Sequence, residues 1–471
     1  MTEPLIGRDS WWGLDAIAAA PASAVWAEGS EAITYARLRE EVDAVRVRSR
    51  AAGARKGCTV ALRVSPSFTF LWWLFGLWAD GIRVLLLDAR MKDAEADAVM
   101  EQVAPHFIVT GEPPTDPLTA FHDRYEVTLE QHVAVGTAED DELALIQCSS
   151  GSSGVPKIVG RTAAALLADV DRNVANPGMP KRGERVYLLS PATHAFGLMA
   201  GVLTALRAGA TLVLPDRLHP EDLALRACLA DVAAILGAPV HFDLLGRASG
   251  DHRPPSLRLA VSCGDALPPS VRDRFAEKYG VTVGQVYGMT EVGVIATDLT
   301  GSCAPPAVGR TLPGVEVRIV DGELFVRSDR CPYIGPDQEG RYADGWLRTF
   351  DRAEFEPGSG ALRVLGRADS VRNIGGLKVD LSEIEQVLRG HPEVIDALVT
   401  CGAPEAADGP QVPMIEAYIA TTGTPTPEEL SEWCHRRLSD FKVPRRWHVD
   451  TDIPRNAAGK ADRRNLTRST G

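Results

Sequence analysis

Residues 143–157 read LALIQCSSGSSGVPK, a short apolar run that ends in four serine hydroxyls, two glycines and a lysine. The apolar half suits a buried strand. The polar half suits a phosphate: glycines let backbone N–H groups converge on an anion, hydroxyls donate further bonds, and Lys157 supplies charge. It is not a P-loop, because its glycines stand three apart and Lys157 follows Pro156, not a glycine. It is also one residue short of the GxSxG nucleophile turn. A flexible linker is the plain alternative for a Ser/Gly run, but a buried strand before it and a helix opening near Thr162 make that the weaker reading.

Outward from this loop, apolar runs at 59–63, 83–87, 107–109, 186–189, 211–214, 233–236, 257–262 and 281–286 predict strands. Between them, 34–50, 68–79, 162–173, 196–207, 240–247 and 269–278 carry helical patterns. Alternating strands and helices predict an α/β fold with parallel sheets covered on both faces. After about residue 300 the pattern changes. Runs 315–320 and 323–327 meet at Asp321-Gly322, a strong hairpin signal, and predict a small β subdomain over about 300–365. From about 368 a compact α+β unit follows, with helices at 382–389 and 427–438 and strands at 394–400 and 414–420. Ser382 and Glu385 have capping-box spacing. The expected division is a large domain over 1–366 and a small mobile one over 367–471.

Composition narrows the function classes. The chain has 471 residues, and 50 basic against 63 acidic side chains give a net charge of −13. That is a poor match to nucleic acid or an anionic membrane. The eight cysteines form no CxxC pair, so neither a zinc site nor a redox dithiol is legible; they read as buried thiols of a reducing compartment. The N-terminus lacks a basic-then-apolar run, and the apolar stretch 68–87 is broken by Asp80, Gly81 and Arg83. The expectation is a cytoplasmic protein.

Three further segments carry chemistry. Gln285-Val286-Tyr287-Gly288-Met289-Thr290-Glu291 lies at the C-terminal end of an expected strand, where open α/β sheets place ligands. An aromatic ring, a glycine, a hydroxyl and a carboxylate there could stack a base, admit a phosphate and hold Mg²⁺. Residues 348–351 (RTFD), followed by Gly366-Arg367-Ala368-Asp369, offer an acid and an arginine for a ribose diol and a phosphate. Residues 454–460, PRNAAGK, end in a lysine that a loop could carry into a site. Taken singly, these three are better read as a turn with an exposed glutamate, a surface ion pair and a basic tail.

Their order along one chain resembles the adenylate-forming superfamily of acyl-CoA synthetases, adenylation domains and luciferases. SSGSSGVPK is similar to its phosphate loop, YGMTE to its YGxTE element and WLRTFD to its RTGD element. GRADSVRNIGGLKVDLSEIE is similar to its hinge and glycine motif, and PRNAAGK to its closing segment; the likeness runs from about Thr34 to Arg464. The resemblance implies that Ser149, Ser150, Gly151, Ser152, Ser153 and Lys157 hold the β- and γ-phosphates of ATP. It places Gly264, Asp265 and Ala266 beside the adenine, with Tyr287 stacked on that ring and Gly288 next to it. Thr290 contacts the α-phosphate, Glu291 ligates Mg²⁺, and Asp351 and Arg367 bind the ribose region. Asp369 is the hinge and Lys460 the catalytic lysine that bridges the two anions.

The implied reaction joins a carboxylate to the α-phosphorus, releases pyrophosphate, and passes the acyl group to a thiol. Gly375, Gly376 and Lys378 match the thiol tunnel. The thiol belongs to coenzyme A or to the phosphopantetheine arm of a carrier protein, which is expected to act in trans. Residues 190–198, SPATHAFGL, fall where the family lines its acyl pocket. They offer no acid for an α-amino group, and with KIVGRT they look most like activators of aryl acids in secondary metabolism. His194, Phe196, Gly264, Gly288 and Val292 are the expected pocket, an apolar slot for a benzoate-like acid, with a short or branched aliphatic acid as the alternative. His194 closes it over the carboxylate or is a core histidine. An amine acceptor, giving an amide, and a binding protein that has lost catalysis are the alternatives. Phe350 departs from the pattern where the family has glycine, as does Cys148 where an aromatic or threonine is common.

Overall fold

In the computed structural model, the structure describes residues 14–112, 119–132, 142–149, 157–264, 267, 269–304, 306–335, 340–367, 371–402, 413–421 and 423–450. The chain divides into two compact units. One holds residues 1–89, 100–148 and 158–366, and the other holds 90–99, 149–157 and 367–471.

The larger unit is built on two big sheets. In the first, the strands Val25–Glu28, Thr211–Val213, Arg185–Leu188, Ala234–Gly237, Leu259–Cys263 and Val283–Met289 run parallel in that spatial order. In the second, Leu143–Ser149, Arg83–Leu86, Thr59–Arg63 and Phe107–Thr110 are parallel neighbours. The expectation of wholly parallel sheets needs correction at the edges. Gly293–Asp298, Ala32–Thr34 and Thr128–Gln131 are antiparallel additions. The first two follow three-residue connections, which can reverse a strand but cannot cross over to a parallel one.

The helix Phe68–Ala79 (FTFLWWLFGLWA) is buried at every position. A helix apolar all round must be covered all round. Here Trp26, from the first sheet, lies 6.0 and 6.1 Å from the rings of Phe68 and Phe75, and the indole N–H of Trp78 donates to the carbonyl of Ala144 in the second sheet at 2.8 Å. Ser67 caps the N-terminus by accepting the Phe70 N–H at 2.9 Å. No helix among the described residues is long and apolar enough to cross a membrane.

Two local expectations change. The segment 196–207 is not one α-helix; Gly197–Leu203 is a π-helix and Thr204–Ala208 completes it as α. A Cβ at Gly197 would lie 2.1 Å from the Pro191 carbonyl oxygen, and one at Gly201 would meet Leu188 at 2.6 Å. The main chain is drawn close to the sheet at Gly201 and to the loop that follows the strand at Gly197. The wider turn is closed by the Thr204 N–H and hydroxyl, both of which donate to the Met199 carbonyl. The second change is Lys157–Thr162, an unexpected strand before the helix Ala163–Ala175, whose N-cap is Thr162. The cysteines are unbridged, but only Cys58 and Cys434 are buried and the other six are half-buried. Scattered spacing does not report burial.

The turn Asp321-Gly322 joins Val317–Val320 to Glu323–Arg327 with φ of 51° and 77°, the left-handed pair that a two-residue hairpin demands. In the smaller unit, Val371–Ile374 and Leu377–Asp380 form a hairpin through Gly375-Gly376, and Val394–Gly402, Met414–Thr421 and Arg446–Asp450 form a second sheet. The helix Leu381–Arg389 begins one residue before Ser382, and Glu385 accepts the Val399 N–H of the neighbouring strand at 3.0 Å. A capping box is instead made by Thr426 and Glu429 at the start of Pro427–His435.

His241 in the larger unit sets an acid limit. Its Nδ1 accepts the Ala238 N–H at 2.9 Å, and burial pulls its pKa down to about 4. The unfolded imidazole takes up its proton near pH 6.5, so the unfolded chain binds more protons between 6.5 and 4. Stability present above pH 6.5 is lost on acidification, by at most about 3 kcal/mol. His241→Gln keeps an acceptor for Ala238. Its denaturant midpoint should fall less between pH 7 and pH 4.5 than that of the native chain; equal slopes would refute the assignment.

Candidate active site

Three parallel strands of the first sheet deliver their C-terminal ends to one edge. Arg185–Leu188 leads into 190–198, Leu259–Cys263 into Gly264, and Val283–Met289 carries Tyr287 to Glu291. This is the rim where α/β sheets bind ligands. It brings together His194, Phe196, Gly264, Tyr287, Gly288, Thr290, Glu291 and Val292 of the expected set. Gly264 has φ of 98° and ends its strand. Gly288 is required by close approach, since a Cβ there would sit 2.5 Å from the Gly293 carbonyl oxygen.

Glu291 is buried, at 7% exposure. Its Oε1 accepts the Tyr333 hydroxyl at 3.0 Å, and its Oε2 is buried with no partner among the described residues. Burial, and next the Glu291 charge, hold the Tyr333 phenol well above its ordinary pKa, so it stays a donor. A carboxylate oxygen withdrawn from water without a donor is costly. A divalent cation would satisfy it. The described residues contain no cluster of three metal-ligating side chains.

Asp351 lies on Trp346–Phe355 of the β subdomain and is buried. The Tyr287 hydroxyl donates to its Oδ2 at 2.5 Å, and the Asp351 N–H donates to Thr349 Oγ1 at 3.0 Å. The two residues expected at the base and the ribose are therefore in contact. Phe350 has φ of 60°, the left-handed region, which is why glycine suits the position. The guanidinium groups of Arg341 and Arg348 lie 5.2 and 4.5 Å from its ring centroid. Phe350→Gly removes a backbone cost of about 1–2 kcal/mol while losing those contacts. The variant should melt close to the native protein, whereas Phe350→Ala, which keeps the cost and loses the ring, should melt lower than both.

The acyl-pocket expectation needs correction. The segment 190–198 carries no acid, but Asp88, following Arg83–Leu86 of the second sheet, puts Oδ2 3.6 Å from His194 Nε2. Gln147 also reaches over, donating to the Thr193 carbonyl at 3.5 Å. The region around His194 is polar on one side, not an apolar slot throughout. Sequence reading missed Asp88 and Tyr333, whose only signal was a position at or near a strand end. Ser149 closes one strand and Lys157 opens the next. Gly375 and Gly376 form their hairpin with φ of 59° and 84°, and Lys378 pairs with Asn373 across it. Ser150, Gly151, Ser152, Ser153, Asp265, Ala266, Asp369 and Lys460 lie outside the described residues, and the Arg367 side chain likewise.

A family model described as AMP-binding enzyme matches residues 15–330, and one described as AMP-binding enzyme C-terminal domain matches residues 383–460. The 2-succinylbenzoate–CoA ligase of Bacillus licheniformis is 28% identical over 466 residues, spanning 93% of this chain and 95% of its own. Among solved structures, o-succinylbenzoate CoA synthetase from Bacillus subtilis superposes with a TM-score of 0.82 at 23% identity, over 98% of each chain. An amide bond synthetase from Marinactinospora thermotolerans gives 0.79 at 23% identity, over 98% of this chain and 99% of its own. Both structural likenesses concern the fold. The family model covers well over half of the sequence, and the chain belongs to the AMP-binding enzyme family.

Proposed function

We propose that this protein converts a small aryl acid and ATP into an acyl-adenylate and pyrophosphate, then passes the acyl group to the thiol of coenzyme A. The observation that carries the reading is the buried Glu291 carboxylate, one oxygen of which has no partner among the described residues, on the same strand end as Tyr287, whose hydroxyl bonds Asp351. The 2-succinylbenzoate named for the relative is itself a benzoate, which supports the aryl class.

The chemistry needs no general base, because a carboxylate is already a nucleophile at neutral pH. The difficulty is bringing two anions together, so catalysis is positioning and charge stabilisation. Bound Mg²⁺ supplies positive charge to the phosphates. Glu291 holds it, and Tyr333 fixes the carboxylate rotamer. Asp351 accepts hydrogen bonds from the ribose hydroxyls while Tyr287 presents its ring to the base. His194, oriented by Asp88, closes over the acid. Lys460 carries the cation that approaches both anions.

The test is exchange of labelled pyrophosphate into ATP across a panel of benzoates, succinylbenzoates, short aliphatic acids and α-amino acids. Exchange is expected with the aryl acids, with AMP as the nucleotide product. Coenzyme A, a phosphopantetheinylated carrier and simple amines are then offered to the adenylate, and coenzyme A should discharge it fastest. ADP formation, or exchange with no acid of the panel, would overturn the reading.

A further inference from the structure

The turn that presents Thr290 and Glu291 is gripped from behind by a charge pair removed from water. Arg161, on Lys157–Thr162, is 4% exposed, and Asp169, on Ala163–Ala175, is 0% exposed. Arg161 Nη1 donates to the Thr290 carbonyl at 3.4 Å, and Nη2 donates to the Ala165 carbonyl at 3.2 Å while lying 3.7 Å from Asp169 Oδ2. Asp169 Oδ1 accepts the Val294 N–H at 3.2 Å, and Arg172 Nη2 stands 3.7 Å from that same oxygen. Gly293 leaves room for the carboxylate: with φ of 83°, a Cβ there would lie 2.0 Å from Oδ2. The pair therefore holds main chain on both sides of Glu291, at Thr290 before it and at Val294 after it.

Resting on the reading that Glu291 receives a divalent cation, we propose that Arg161 and Asp169 are positioning residues that fix the Glu291 carboxylate for that cation. Stability alone is a poor reason for the pair. Two ions taken from water cost several kcal/mol each in desolvation, and packed apolar side chains of similar size often serve as well or better. What apolar side chains lack is a donor for Thr290 and an acceptor for Val294. The guanidinium adds a field. Burial pulls Arg161 below its ordinary pKa, the Asp169 carboxylate opposes that, Arg172 adds to it, and Glu291 opposes it in turn.

The test separates holding the turn from merely filling the core. Mn²⁺ binding is measured by electron paramagnetic resonance with a non-hydrolysable ATP analogue, alongside thermal melting, for Arg161→Met, Arg161→Lys and the double variant Arg161→Met/Asp169→Leu. The double variant should melt near the native temperature yet bind Mn²⁺ about tenfold or more weakly, a loss of the size seen when outer partners of a metal ligand are removed. Arg161→Lys should recover part of the affinity. A folded double variant with native Mn²⁺ affinity would overturn the proposal, as would a native protein that binds no Mn²⁺ with the analogue. Acid-dependent pyrophosphate exchange, run on the native protein, reports separately: its absence with normal Mn²⁺ binding defeats the adenylation reading and leaves the positioning result standing.

Discussion

Glu291→Gln is expected to reduce acid-dependent pyrophosphate exchange by about 10²–10³-fold while leaving the protein folded. Glutamine has the shape of glutamate and still offers a carbonyl oxygen to the Tyr333 hydroxyl, which donates at 3.0 Å to Oε1. The loss is confined to the negative charge on the second oxygen, the one with no partner among the described residues. That confinement gives the prediction two arms. Activity should fall, and raising Mg²⁺ should restore only part of it. Melting of the ligand-free protein should stay level or rise, because an unsatisfied buried charge has been replaced by a neutral amide. Tyr333→Phe is the companion measurement: it frees both oxygens, keeps the charge, and should cost far less activity than Glu291→Gln. Native exchange by Glu291→Gln at ordinary Mg²⁺ would remove Glu291 from the cation site.

The parts of this site legible in the sequence are those where one contiguous stretch carries the chemistry. Tyr287 to Glu291 could be read because strand, turn and side chains follow each other. The helix Phe68–Ala79 matches its expected bounds because twelve consecutive buried residues have no other reading. The Asp321-Gly322 turn was legible because backbone sterics leave few residues able to take two positive φ angles. What could not be read are the partners that distant strands supply. Tyr333 reaches Glu291 because Tyr333–Ile334 pairs with Lys157–Thr162, a strand hidden behind the Ser/Gly loop. Asp88 meets His194 because the two sheets present their ends near each other, a tertiary fact with no spacing rule. Arg161 and Asp169 look like ordinary surface charges of an amphipathic segment until burial is known. The π-helix was hidden for a different reason: its periodicity differs from an α-helix by less than a short segment can show.

Lys460→Ala should abolish formation of the acyl-adenylate, by roughly 10³-fold or more, while leaving the second half-reaction on supplied acyl-adenylate close to native. Lys460 lies outside the described residues, and its role rests on the likeness of residues 454–460 to the family's closing segment. In the first half-reaction an anionic carboxylate must approach an anionic phosphate, and a cation shared between them lowers the barrier at the moment they meet. In the second, a thiol attacks a neutral acyl carbon and AMP departs, so no two anions have to be joined. A lysine that serves the first encounter is dispensable for the second. Measuring pyrophosphate exchange and thiolysis of synthetic adenylate on the same preparation separates the steps, and a melting curve shows that the variant is folded. Equal loss in both half-reactions would make Lys460 a general structural or binding residue, and no loss in either would place the catalytic cation elsewhere on the chain.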